Sequence, residues 1–151
     1  MKTQWICKEN RSMTFTQGSA IRRTFVSGWV NADIVRNDRD NLIVTLTTKF
    51  ALHIIELAEH LDQERKFIIA RQLLRSGTSI GANVREAQNA ESKADFVHKF
   101  KIAAKESDET FYWLTLCKEA ASYPNPNPKL FDQLRDISRI IAKIIATSKR
   151  G

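Results

Sequence analysis

The sequence predicts an all-α protein, folded as an antiparallel up-and-down four-helix bundle. In four segments between residues 42 and 148, apolar residues recur every three or four positions, the spacing of one helix face. Only short loops separate these segments, so consecutive helices are expected to run antiparallel. The length of 151 residues, with 42% hydrophobic and 27% charged residues, suits a single domain that buries a core.

Residues 1–41 differ from the rest of the chain and are predicted to be an irregular or disordered N-terminal extension. They contain scattered aromatic residues but no sustained helical stripe, and their alternations are too short to specify a pair of strands. The alternative is a basic arm whose aromatic side chains stack on a partner. The bundle domain is therefore assigned to residues 42–148, and residues 149–151 to a tail.

The first helix is predicted from Leu42 to about Leu61, and residues 62–64 turn the chain into the second. The second helix is predicted from about Arg65 to Asn89, and the residues in the middle of its apolar stripe are small. The expected buried positions are Leu46, Phe50, Ile54, Leu57 and Leu61 on the first helix, and Ala70, Leu73, Gly77, Ile80, Val84 and Ala87 on the second.

The third helix is predicted from Lys93 to Ser122, because Ser92 and Asp95 have the spacing of a capping box. Three prolines between residues 124 and 128 end it, and Asn127 is the expected N-cap of the fourth helix. The expected buried positions are Phe96, Phe100, Ala103, Ser107, Thr110, Leu114, Cys117 and Ala121 on the third helix, and Leu130, Leu134, Ile137, Ile141 and Ile144 on the fourth.

The chain is basic, with 24 Lys and Arg against 17 Asp and Glu, a net charge of +7 and a pI near 9.6. A polyanionic partner is therefore electrostatically plausible. Apolar runs are only a few residues long, so no membrane span is expected. Charged residues at positions 8, 9 and 11 interrupt any secretory signal, and the two cysteines are far apart, so we expect a reducing, cytoplasmic setting.

Basic residues repeat four positions apart on the predicted second, third and fourth helices. One interpretation is a solvated face in which carboxylates compensate, with the pairs Asp95–Lys99, Lys105–Glu109 and Asp132–Arg135. The other is a phosphate-binding surface that becomes strong when several subunits present it together. The candidate nucleic-acid contacts are Arg71, Arg75, Arg85, Lys101, Lys105, Arg139 and Lys143.

Gly77 and Gly81 form a G-x-x-x-G spacing within the second helix. Each glycine costs on the order of 1 kcal/mol relative to alanine, so something should offset that cost. Close helix packing, inside the bundle or across a subunit interface, is the favoured explanation, and it motivates a prediction of oligomerisation. A backbone surface approached by a ligand phosphate is the alternative.

No catalytic residue, cofactor or metal site is predicted. No nucleophile triad, Walker-type loop or dinucleotide fingerprint occurs in the sequence. His53, Glu56 and His60 share a helix, but a bundle metal site needs ligands from more than one helix, so surface or boundary positions are favoured. Cys117 lies on the expected core stripe, which indicates a buried, unreactive thiol.

The stretch from Gln72 to Ala87 resembles the second helix of the 23S ribosomal RNA intervening-sequence proteins, whose signature is Ser-Ile-x-x-Asn-x-x-Glu-[Gly/Ala]. The similarity extends over roughly residues 42–147. The signature corresponds here to Ser79, Ile80, Asn83, Glu86 and Ala87, and further similarity lies in Phe50-Ala51, Ile54-Ile55, Asp95-Phe96, the stretch 103–107 and Glu109.

The resemblance implies an up-and-down bundle that assembles into a ring, a homopentamer in relatives of known structure. It implies a protein encoded within or beside inserted segments of ribosomal RNA genes, with an inferred role in RNA binding and no enzymatic activity. A related branch serves diversity-generating retroelements as a basic accessory subunit that binds reverse transcriptase. The partners expected from this resemblance are therefore other copies of the chain, RNA, or a protein such as reverse transcriptase, and no membrane.

Asn83 and Glu86 are about one turn apart and next to the glycine pair. A carboxylate and an amide at this position can pair with groups on another helix, so a structural hydrogen-bonded pair at a helix-packing or oligomer interface is favoured. A direct RNA contact is the alternative, disfavoured because the Glu86 carboxylate repels phosphate.

Overall fold

The structure, a computed structural model, describes residues 5–6, 30–31 and 41–150. Its helices are α1 (Leu42–Gln63), α2 (Phe67–Ala87), α3 (Lys93–Glu119) and α4 (Pro128–Arg150). Each helix packs against the next along the chain, and α4 packs back against α1, so α1 and α3 occupy opposite corners, as do α2 and α4. The prediction of an all-α four-helix bundle is confirmed.

The chain divides into two units, residues 1–37 and residues 38–151. In the first unit, Trp5–Ile6 (β1) pairs antiparallel with Val30–Asn31 (β2), and Trp5 stands opposite Asn31. The sequence did not predict this pair, because two-residue strands are too short to show an alternating pattern. The rest of the N-terminal extension and its basic-arm alternative lie outside the described residues.

The turn between α1 and α2 begins later than predicted. The helix continues to Gln63, and Arg65 then adopts a left-handed conformation with φ of 59°. The amide of Lys66 donates to the carbonyl of Leu61 at 2.8 Å, and the amide of Arg65 donates to Asp62 at 2.9 Å. This is a Schellman motif, usually made by glycine, which is why an arginine gave no sequence signal for it.

Both predicted N-caps are confirmed. Ser92 accepts a hydrogen bond from the amide of Asp95 at 3.1 Å, and Asn127 accepts one from Lys129 at 3.0 Å. The helix ends differ by two or three residues: α2 ends at Ala87 rather than Asn89, and α3 at Glu119 rather than Ser122. At the end of α3 the backbone becomes extended at Ala120, four residues before Pro124.

The predicted apolar stripes form the core. Phe50, Ile54 and Leu61 of α1 pack with residues of the other three helices, and burial of these side chains is the main stabilising contribution. Leu46, Leu57, Phe96 and Ile144 are only partly buried, and Ala121 is exposed in the turn after α3. Among the described residues, no helix is long and apolar enough to cross a membrane.

Candidate nucleic-acid interface

The candidate phosphate contacts are all exposed, and three helices carry them. These are Arg71, Arg75 and Arg85 on α2, Lys101 and Lys105 on α3, and Arg139 and Lys143 on α4. Because α2 and α4 occupy opposite corners of the bundle, no single face of one chain presents all seven cations. Helix α3, which carries Lys101 and Lys105, contacts both α2 and α4.

Interhelical pairing changes two of the expected charge pairs. Glu109 pairs with Arg75 of α2, whose Nη2 lies 2.6 Å from Oε1, rather than with Lys105 on its own helix. Lys99 likewise pairs with Glu86 of α2, with 2.6 Å between Nζ and Oε2, rather than with Asp95. The i,i+4 rule predicted pairs within one helix, but α2 and α3 pack closely enough for their side chains to compete.

On α4 the expected pair between Asp132 and Arg135 is confirmed. Arg139 also has an acidic neighbour, because its Nη1 lies 3.4 Å from Oδ1 of Asp136. These pairs are exposed and contribute little to stability, and each arginine can exchange its carboxylate for a phosphate at small cost. Arg139 is nevertheless partly neutralised in the isolated chain.

Four of the candidates have no carboxylate partner among residues 41–148. Lys101 and Lys105 lie one turn apart on the same face of α3 and are both exposed. The others are Arg71 on α2 and Lys143 on α4. A cation without a competing carboxylate gives its full charge to a phosphate, so these four side chains are best placed to bind a polyanion.

One signature residue of α2, Glu86, contacts α3. Glu86 forms the pair with Lys99, and this contact raises the pKa of the Lys99 ammonium through the hydrogen bond and charge of Glu86. This carboxylate therefore contacts a group on another helix of the same bundle. Asn83 differs, because its Nδ2 donates to the carbonyl of Ser79 in the same helix at 2.9 Å.

Gly77 and Gly81 both face α1 of the same chain. A Cβ at position 77 would stand 2.7 Å from Cγ2 of Ile54, whereas one at position 81 would stand 3.6 Å from Thr47. Gly77 therefore allows α2 to approach α1 closely within the same bundle. The small-residue patch is used within the subunit and does not by itself indicate an oligomer interface.

The environments of two acidic residues of α3 were not predictable from the sequence. Glu109 accepts a hydrogen bond from Nε1 of Trp113 at 3.2 Å in addition to its pair with Arg75. Oε2 of Glu106 is buried and has no hydrogen-bond partner among the described residues. Both lie on an otherwise ordinary charged helix, so no spacing rule distinguishes them from solvated residues.

The histidines of α1 border an open groove of about 610 Å³ between α1 and α4. His53 and His60 line it with Glu56, and Nδ1 of His53 lies 3.0 Å from Oε1 of Gln133. Among the described residues, no three His, Cys, Asp or Glu side chains are placed to hold a metal ion. Cys117 is buried as predicted, and burial raises the pKa of its thiol.

The fold and surface define a class of protein: a small basic four-helix bundle with exposed Lys and Arg side chains. The sequence model of the 23S rRNA-intervening sequence protein family matches residues 39–146, and the chain belongs to that family. The match begins just before α1 and ends near the end of α4, so it covers the bundle.

A solved structure supports the same assignment. It is a protein of unknown function from the S23 ribosomal protein family of Bacteroides thetaiotaomicron, and it shares 39% sequence identity with this chain. The similarity covers 69% of this chain and 98% of that protein, with a TM-score of 0.65. No protein of curated function matches the sequence.

Proposed function

We propose that this chain is a non-enzymatic, homo-oligomeric RNA-binding protein that acts on ribosomal RNA or its inserted segments in the cytoplasm. The observation that carries the proposal is the set of exposed cations without carboxylate partners among residues 41–148, which includes the neighbouring pair Lys101 and Lys105 on α3. The family description, which refers to intervening sequences of 23S rRNA, supports RNA as the polyanion.

The net charge of one bundle is too modest for strong RNA binding by a single chain, so oligomerisation is part of the proposed function. Residues 42–151 contain seventeen basic and thirteen acidic residues, a difference of +4. One chain therefore makes few phosphate contacts, and each contact contributes a limited, salt-dependent affinity. A ring such as a homopentamer adds these contacts along one RNA molecule, and linked sites bind far more tightly than separate ones.

Charge reversal of the two α3 lysines tests the proposed surface. The double variant Lys101→Glu and Lys105→Glu is expected to weaken binding to a structured ribosomal RNA fragment at least 10-fold at matched salt. The control variant reverses Lys49 and Lys129 instead. It has the same net charge as the test variant, but its substitutions lie on α1 and at the start of α4. Equal losses in both variants would mean that net charge alone drives binding and that this surface is wrong.

A second candidate is an accessory subunit that docks on another protein, for example a reverse transcriptase. Phe111, Tyr112 and Leu116 of α3 are exposed apolar side chains, of the kind that protein interfaces cover. A neighbouring reverse-transcriptase gene would favour this function, whereas a location inside a ribosomal RNA operon would favour the first. A metal-dependent function built on His53, Glu56 and His60 would require stoichiometric metal in the groove that they line, which elemental analysis of the purified protein measures.

A further inference from the structure

The net positive charge of the bundle comes from one pair of helices. Helices α1 and α2 together carry four basic and four acidic residues, so their formal charges cancel. Helices α3 and α4 together carry eleven basic and seven acidic residues, a difference of +4. This difference equals the whole excess of residues 42–151, so a polyanion is attracted most strongly to α3 and α4.

Two grooves open along the line where α3 faces α4. The first, of about 490 Å³, is lined by Phe111 of α3 and Phe131 of α4, and we call it the aromatic groove. The second, of about 530 Å³, is lined by Ala104, Asp108 and Ala142, farther from the proline-rich loop. On α3, positions 101, 104, 108 and 111 recur at steps of three and four residues, so they share one helix face that extends past both grooves.

The aromatic groove contains two phenyl rings that meet at nearly a right angle. The ring centroids of Phe111 and Phe131 lie 5.7 Å apart with 87° between the ring planes, and Phe111 is 43% exposed. Pro126 and Pro128 also line the groove, and their fixed backbone angles make this wall rigid. A nucleobase stacked parallel to Phe111 lies perpendicular to Phe131, which is the edge-to-face arrangement that aromatic rings favour.

The charged residues that line the aromatic groove balance one another. Arg135 pairs with Asp132, and Nζ of Lys118 lies 3.8 Å from Oε1 of Glu119. The groove is therefore neutral as a whole, which suits the uncharged base of a nucleotide better than its phosphate. All four side chains are more than half exposed, so both pairs are weak and impose little cost on a strand that passes them.

Cations for the phosphates of the same strand lie farther along α3. Lys101 and Lys105 have no carboxylate partner among residues 41–148, and they precede Phe111 by ten and six residues. At 1.5 Å per residue, these positions are about 15 and 9 Å from Phe111 along the helix. A stacked strand rises about 3.4 Å per nucleotide, so about four nucleotides span the distance from Phe111 to Lys101.

This combination of groups distinguishes an unpaired strand from a duplex. Bases within a duplex are already stacked and paired, so the aromatic groove has no free ring face of the RNA to contact. An unpaired strand offers both a base for the rings and phosphates for the lysines. A protein partner could also cover Phe111, but the unpaired cations on the same helix favour RNA.

We infer that the side of the bundle formed by α3 and α4 binds single-stranded RNA, with one unpaired base stacked on Phe111 in the aromatic groove. The adjoining phosphates contact Lys101 and Lys105. This inference rests on the proposed function and names its substrate class, which is unpaired rather than duplex RNA. Asp108 lies on the same face of α3 between Lys101 and Phe111, and its carboxylate repels the strand.

Substitution of Phe111 tests the stacked base. Phe111→Leu keeps an apolar side chain but removes the ring face, so it is expected to weaken binding to an oligouridylate of about 12 nucleotides by about 5- to 100-fold. Phe111→Trp is expected to retain the wild-type affinity. The control is Tyr112→Leu, because Tyr112 is 56% exposed but lines neither groove, and its loss should change the affinity less than about 2-fold. Circular dichroism verifies that each variant folds.

Neutralising Asp108 tests the course of the strand. Asp108→Asn is expected to raise the affinity for the same oligouridylate about 2- to 5-fold, because a repulsive carboxylate is removed from its path. The matched control is Glu59→Gln on α1, which changes the net charge equally but lies on another helix. Equal gains in both variants would mean that net charge alone is responsible, and they would overturn the proposed path.

A hairpin duplex with the same number of nucleotides as the oligouridylate separates this inference from the proposed function. At matched salt, the single strand is expected to bind more tightly than the duplex, and Phe111→Leu is expected to remove this preference. Equal binding of both RNAs, unchanged by Phe111→Leu, would overturn the base site but leave RNA binding in place. No binding of either RNA in low salt would refute the proposed function itself and would assign Phe111 to a protein interface.

Discussion

Gly77 of α2 lies so close to Ile54 of α1 that a Cβ atom at position 77 would stand 2.7 Å from one methyl carbon of Ile54 and 2.9 Å from Cγ1. Ile54 is fully buried and β-branched, so it cannot move aside without disturbing the core. The glycine therefore sets the distance between the two helices, and this offsets its low helix propensity.

The two glycines of the motif should respond oppositely to alanine. Gly77→Ala is expected to destabilise the bundle by about 1–2 kcal/mol, because overpacking against Ile54 outweighs the gain in helix propensity. Gly81→Ala is expected to stabilise it by about 0.5–1 kcal/mol, since its new Cβ makes ordinary contact with Thr47 at 3.6 Å. Urea unfolding of both variants measures this difference, and a neutral Gly77→Ala would refute the close approach.

Replacing Arg65 with glycine should raise the free energy of unfolding. Its φ of 59° places a side chain in the left-handed region, which costs L residues about 1–2 kcal/mol. Arg65→Gly removes that strain but increases the entropy of the unfolded chain, so we expect a net stabilisation of about 0.5–1 kcal/mol. Chemical denaturation tests this, and Arg65→Ala serves as the control that keeps the strain. A loss of stability in the glycine variant would contradict the Schellman geometry.

The pair between Arg75 and Glu109 should be weak and sensitive to salt. A double-mutant cycle with Arg75→Ala and Glu109→Gln is expected to give a coupling energy of about 0.3–1 kcal/mol in low salt, because both side chains are partly exposed. The coupling should fall by at least half in 1 M salt. A coupling near zero in low salt would show that the two side chains do not pair in solution.

Cys117 should react slowly and should make stability fall at alkaline pH. Because burial raises its thiol pKa, the folded chain holds the proton more tightly than the unfolded chain. The free energy of unfolding therefore decreases as pH rises above about 8.5, the pKa of an exposed cysteine.

Two measurements check this in a Cys7→Ser background. Alkylation of Cys117 by iodoacetamide is expected to be on the order of 100-fold slower in buffer than in urea. Replacing Cys117 with alanine should remove the alkaline loss of stability that this thiol causes. Rapid alkylation of the folded protein would place the thiol at the surface instead.

The sequence was sufficient for the helices, because their stripes and caps are local patterns. The capping box at Ser92, for example, needs only two residue types at a fixed spacing. Ion pairs between helices were not predictable in the same way. Glu109 pairs with Arg75 rather than with Lys105 because α2 packs against α3. The spacing of residues within one helix does not predict such a pair.

The candidate site was likewise predictable only where local patterns define it. The basic repeats located the cations on each helix, and the structure places them on three helices whose relative positions no repeat specifies. The exposure of Leu52 and Ile55 on α1 was not predicted, because the surrounding residues 50–55 are mostly apolar and contain no charge that marks the solvent side. Only packing brings Ile55 of α1 beside Leu74 of α2 in one groove.

The central claim is that the exposed cations bind RNA, and the salt dependence of binding tests it most directly. The affinity of the purified protein for a ribosomal RNA fragment should be measured as salt is raised, beside an unrelated RNA of equal length. We predict a linear fall of log K with log salt for both RNAs, with tighter binding to the ribosomal fragment at matched salt. No binding to either RNA in low salt would contradict the claim.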